Sequence, residues 1–263
     1  MMISFLKEST FVVNDVLSDA WEVLKKRYIA IAGLCFLMFV TSNSSAILGF
    51  YFNDLNSIFN IFIALLFVIL YFGIQLTLFK HIFQVLDKKE QDVQLNKSIP
   101  TVKEMIFFFT GMLFMLLLVL SSYLIISVLL LPLIYLEIPI ELLVNIGFII
   151  ACLFIFLMLT RLVFFPFFII DRSQNTFRAL RLSLAITRGN VTKLLMLLAF
   201  FVMLNLMYLY FSYLNLAVIS TGLSLVNSFL VVPLASVTIA IAYRKMMGEY
   251  HGSEDPEIFK NIL

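Results

Sequence analysis

Five arginines gather in one stretch, RLVFFPFFIIDRSQNTFRALRLSLAITRGN (161–190): Arg161, Arg172, Arg178, Arg181 and Arg188. A guanidinium stays charged in proteins and offers five N–H donors in a planar fork that matches phosphate or carboxylate oxygens. The chemistry open to such a set is capture of an anionic group. Arg161 stands apart from the other four. It falls late in an apolar run, about one helical turn before Pro166, where a charge costs at least a few kcal/mol and often marks function. Three arrangements meet that cost: reach of the side chain to membrane headgroups, an anionic ligand such as a lipid phosphate, or pairing with Asp171. The other four arginines set membrane topology or form a patch for anionic lipid, each adding about 1 kcal/mol near such a surface.

A second set is uncharged. Thr41, Ser42, Asn43, Ser44 and Ser45 interrupt the first apolar run, and Asn205, Ser212, Asn215, Asn227 and Ser228 fall in or beside later ones. Such side chains either line a cavity or hydrogen-bond helix to helix, at about 0.6 kcal/mol per bond. Asn43, Ser44, Asn205 and Asn227 are the candidates for a cavity wall. No catalytic signature is present: no H-E-x-x-H, G-x-S-x-G, phosphate loop or dinucleotide fingerprint. His81 and His251 are the only histidines. His81, six residues before Asp87, reads as a residue of the membrane interface rather than half of a catalytic pair. Cys35 and Cys152 lie in apolar runs and form neither a disulfide framework nor a metal-ligand cluster. No metal, cofactor or nucleic-acid partner is indicated. The absence of Asp or Glu from the core of any apolar run weighs against proton- or sodium-driven transport. The triplets Asn43-Ser-Ser and Asn190-Val-Thr match the glycosylation pattern, but one is within a span and the other cytosolic, so neither is expected to be used.

The elements that position these residues are set by composition. The 263-residue chain is 62% hydrophobic and 13% charged, with mean hydropathy +1.06. A soluble domain is nearer half apolar and a quarter charged. Apolar runs at 28–51, 57–80, 103–131, 141–165, 192–214 and 222–243 are each long enough to cross a bilayer. The expected fold is therefore all-α, a polytopic bundle of six transmembrane helices in one domain (1–247) with a polar tail (248–263). Lys7, Glu8 and Asp15 break the apolar patches at the start, so no secretory signal is expected there. Thr101 and Glu104 form a capping box before the third run. Pro132 stops that run, Pro166 kinks or ends the fourth, and Gly222 opens the sixth. Two amphipathic helices complete the set and are expected at the membrane interface. In 10–27, Val13, Val16, Leu17, Ala20, Trp21, Leu24 and Tyr28 share a face, with Ser9 or Thr10 as cap. In 176–188, Asn175 or Thr176 is the cap and Gly189 the C′ stop.

Charge fixes the expected orientation. With both termini cytoplasmic, all 18 Lys and Arg fall on the cytoplasmic side, and the opposite loops carry only Asp54, Glu137 and Glu141 as charges. That is the positive-inside pattern. It gives three out-and-back hairpins. The first and third look most alike, with Asn43 and Asn205 at comparable depth.

The fourth loop carries a resemblance. An Arg late in an apolar span is followed by an aromatic-Pro step, Asp171, Ala179-Leu180, Ser183, then Thr187-Arg188-Gly189-Asn190 and a new span. Ala20-Trp21 with Leu24-Lys25, and Tyr243-Arg244 closing the last span, belong to the same pattern. It resembles a bacterial group of six-helix membrane proteins that includes the membrane domain of some glycerophosphodiester phosphodiesterases. That group has Trp beside the loop Ser, where this chain has Leu184. There is no phosphodiesterase domain here, so the catalytic activity is not implied. What the resemblance implies is a membrane part that accompanies lipid- or envelope-related functions. The expected protein is a bacterial inner-membrane component, non-enzymatic and permease-like, engaging anionic membrane lipid or an amphiphile. The alternatives are an assembly or scaffold subunit that binds another membrane protein, then a membrane-embedded enzyme.

Overall fold

The computed structural model describes residues 11–51, 57–87, 95–130, 132 and 139–248. The expected caps Ser9 and Thr10, the charges Asp54 and Glu137, His251 and the tail lie outside the described residues. The helices are α1 (Val13–Tyr51), α2 (Ser57–Asp87), α3 (Val102–Leu130), α4 (Ile140–Leu162), α5 (Phe165–Arg172), α6 (Thr176–Ile186), α7 (Val191–Tyr213), α8 (Ala217–Val226) and α9 (Val232–Gly248). A 3-10 turn (Leu95–Ser98) precedes α3, and a five-residue π turn (Asn227–Val231) joins α8 to α9. No strand occurs among the described residues. Among the described residues six stretches are long and apolar enough to cross a membrane: Val13–Gly49, Ile58–Asp87, Val102–Leu130, Glu141–Arg172, Val191–Tyr213 and Val218–Gly248. The protein is an all-α, multi-pass integral membrane protein.

Two compact units divide the chain. The first takes the described residues of 11–102 and 196–248, so α1, α2, most of α7, α8, the π turn and α9. Its core runs where α1 packs on α2 and on α9. Val16, Ala20 and Leu24, spaced for one helical face, are buried, whereas Trp21 and Tyr28 are exposed. The apolar stripe of the predicted 10–27 helix is thus covered largely by protein. That helix also does not end before the span. It continues into it through one non-helical residue, Arg27 (φ −128°, ψ 26°). Ion pairs between Lys245 and Asp19 (2.6 Å) and between Arg244 and Asp87 (2.6 Å) tie the end of α9 to α1 and α2. Ser236 and Ala240 are buried packing residues on α9. The last span enters at Ala217, after a turn through Asn215 (φ 56°), and Gly222 lies inside α8.

The second unit takes 103–195 of the described residues: α3 to α6 and the first turn of α7. Thr101 directly precedes α3 and Glu104 is its third residue, the positions the capping box requires. At 29 residues α3 is about 43 Å long, against about 30 Å of hydrocarbon. Its first turns hold it to α5 and α6. Phe108 stacks on Phe165 (5.7 Å, 8°), and the Thr176 hydroxyl donates to the Phe107 carbonyl at 2.7 Å. Gly111 is required here, because a Cβ would lie 2.6 Å from the Phe165 ring. Farther along, none of the most apolar window of α3 is buried by the protein.

Candidate functional site

The fourth apolar run breaks where the proline predicts. α4 ends at Leu162, two residues turn, and α5 begins with Pro166 in its first turn. Proline brings no N–H and so cannot extend the α4 ladder. The turn releases the Arg161 carbonyl and the Phe164 N–H, and an unmet backbone group away from water costs several kcal/mol. One side chain serves both. The Ser183 hydroxyl, fully buried, donates to the Arg161 carbonyl (2.8 Å) and accepts from the Phe164 N–H (3.2 Å). Thr187, one turn on and also buried, donates to the Ser183 carbonyl at 2.9 Å and lies 3.3 Å from the Arg161 carbonyl.

Held by its backbone, Arg161 extends its side chain along the same helix end. One Nη donates to the Leu184 carbonyl at 3.1 Å. Leu184 is in the last turn of α6, where carbonyls lack intrahelical donors and the helix dipole is negative. That contact uses one of five N–H groups. Nε is buried without a hydrogen-bond partner. Among the described residues Arg161 has no carboxylate partner. Asp171 lies 4.0 Å from Arg172 instead.

The remaining arginines stand outside this joint. In α6 Thr176, Ala179, Leu180, Ser183 and Ile186 form the buried face. Phe177, Arg178 and Arg181 are exposed, as are Arg188 just past the helix and Arg172 at the end of α5. The structure therefore separates one half-buried arginine from four exposed ones. Arg178 and Arg181 sit on one face of α6, and Arg181 and Arg188 lie within about a turn of Leu184 on either side. Asn175 occupies the N-cap position without a side-chain cap bond, and Thr176 is spent on α3. α6 stops at Ile186, two residues before Arg188. The C-cap is Thr187, so Gly189, predicted as C′, lies one position past C′ and at φ 88° turns the chain toward α7.

The uncharged candidates behave differently. Asn43 is exposed and donates to the Phe39 carbonyl of its own helix (2.8 Å), and Ser44 is half-buried. Asn205 donates to the Phe201 carbonyl (3.1 Å) and accepts from Asn227 on the π turn (3.0 Å). That pair is a helix-to-helix bond. The cavity on the Thr41–Ser45 stretch has Thr41, Ser42 and Ser45 in its wall. His81 is buried, and Asp87 pairs with Arg244, so no His–Asp pair forms. Both cysteines are free thiols. No group of three potential metal ligands occurs among the described residues.

Sequence reasoning missed Ser183 and Thr187 as the partners of the break, and Tyr28 as a partner of the last span. The signal available was proline itself: it ends the helix within an apolar run, and the backbone groups that the turn frees need partners elsewhere. Comparison with protein-family models, with curated proteins and with solved structures finds no match to this chain.

Proposed function

We propose that this chain is a non-enzymatic component of a bacterial inner membrane that engages an anionic lipid or amphiphile at the end of α4. On this reading it is permease-like and both termini are cytoplasmic. The observation that carries it is Arg161: a half-buried cation, docked by one N–H on Leu184, with Nε unmet and no carboxylate partner among the described residues. A phosphate oxygen at the guanidinium supplies the missing counter-charge. Arg178, Arg181 and Arg188, exposed on and just past α6, attract the same headgroup chemistry. The resemblance to six-helix envelope proteins points the same way.

The test is native mass spectrometry of protein extracted from membranes containing phosphatidylglycerol and phosphatidylcholine. Arg161→Ala should reduce retained phosphatidylglycerol by roughly ten- to a hundredfold, the value of a charge-assisted hydrogen bond, and Arg161→Lys should reduce it less. Unchanged retention in a folded Arg161→Ala protein ends the proposal. The scaffold alternative draws on α3, whose apolar window is left uncovered by its own chain. Crosslinking in native membranes through Leu116 and Leu120 should then trap a stable protein neighbour, and adducts to lipid alone exclude it.

A further inference from the structure

We propose that the cavity between α1 and α2 holds the head of an uncharged lipid that presents hydroxyl or carbonyl oxygens. The cavity is a shallow, largely open groove with a volume of about 210 Å³. Sites that enclose a whole small ligand run from about 300 to 1,000 Å³. This one accommodates a head group whose chains leave through the opening into the bilayer. One wall is Thr41, Ser42 and Ser45 of α1, and the other is Phe67, Val68, Tyr71 and Phe72 of α2.

Two observations point to the ligand class. The first is the set of unmet donors. Hydroxyls in these spans are commonly satisfied by the carbonyl one turn back, as Thr41 is by Leu37 (2.7 Å), Thr77 by Gly73 (2.8 Å) and Thr110 by Ile106 (2.8 Å). Ser42, Ser45 and Tyr71 make no such bond. Their three hydroxyls have no partner among the described residues, and all three belong to the wall of one cavity. Ser42 is exposed and Ser45 and Tyr71 are half-buried, all within apolar spans; a hydroxyl left unmet against hydrocarbon is costly, and three O–H donors call for acceptor oxygens. The second observation is the absence of any charged residue from the wall. An ion placed there has no counter-charge and pays its full desolvation. A glycerol ester or a long-chain alcohol meets both conditions, with the rings of Phe67 and Phe72 against its apolar portion.

This site shares no residue with the anionic reading of Arg161, so the two stand or fall separately. The experiment uses the full chain in phosphatidylcholine vesicles with three photoactivatable diazirine probes: a diacylglycerol, a long-chain isoprenoid alcohol and a phosphatidylglycerol. Labelling of the segments that hold Thr41–Ser45 or Phe67–Phe72 by either uncharged probe, above the phosphatidylglycerol, is the expected result. Which of the two labels more strongly identifies the source. The Ser42→Ala, Ser45→Ala double variant should lower that labelling roughly tenfold, as loss of two hydrogen bonds implies. Ser44→Ala, outside the wall, should leave it unchanged. Equal labelling by phosphatidylglycerol, no labelling of these segments, or labelling unaltered in the folded double variant overturns the proposal.

Discussion

Two spans of this protein contain a proline, and the two units resolve it differently. In the last span Pro233 leaves the Phe229 carbonyl without an α-helical donor. The helix keeps going through the π turn Asn227–Val231, and the Tyr28 hydroxyl donates to that carbonyl at 2.9 Å. Tyr28 follows the kink at Arg27, and Phe36 stacks on Phe229 (5.9 Å), so α1 and the π turn are fitted to each other. In the fourth run Pro166 ends the helix outright, and the chain leaves through α5 and α6. A single buried serine then has to meet both a carbonyl and an N–H. One missing donor is repaired by a hydroxyl at the rim of a continuous helix. A full break needs a residue that gives and accepts at once, inside a packed joint. The second arrangement has less tolerance for loss, and it is the one that carries the half-buried arginine.

Substitutions can break this comparison. The largest expected effect is Ser183→Val, which leaves the Arg161 carbonyl and the Phe164 N–H unmet in a buried site. At about 1–3 kcal/mol per group, destabilisation of about 3 kcal/mol is expected in reversible unfolding in mixed micelles, and a loss below 1 kcal/mol contradicts the dual role. Tyr28→Phe removes one hydrogen bond and should cost about 1 kcal/mol. The sharper form is a double-mutant cycle. In a Pro233→Ala background the helix supplies its own donor, and Tyr28→Phe should then cost close to nothing. Full additivity would show that the tyrosine does not compensate for the proline. The smallest expected effect is Asn227→Leu, which removes the bond to Asn205 at about 0.6 kcal/mol. A cost several times larger in the same unfolding assay would mean that the π turn, rather than Tyr28, is what the last span depends on.

The difference also shows which parts of the molecule were legible beforehand. Helix limits followed from proline, capping residues and apolar run length. α3 starts behind Thr101, and α4 stops short of Pro166. Arg161 was legible as an isolated charge. Its docking on Leu184 was not, because a carbonyl acceptor has no side-chain signature. Asn205 and Asn227 stand out as polar residues in apolar runs, but only their placement shows the bond between them. Pro233 carries no such signal, because a π turn is set by the register of the helix before it, which no local spacing reports.

The sequence by itself determined that this is a multi-pass helical membrane protein with six apolar runs long enough to span, and where α3 begins and α4 stops. Those outcomes depend on runs of apolar side chains and on residues that cannot continue a helix, and both are local. Only the tertiary structure decided which hydroxyl meets which freed backbone group, which of the five arginines of 161–190 is half-buried and which four are exposed, and which serines face a cavity. Each of those depends on a partner tens to hundreds of residues away, as in the pairing of Tyr28 with Phe229. Hydrogen bonding and desolvation act through distance in space, and a linear pattern does not carry that distance.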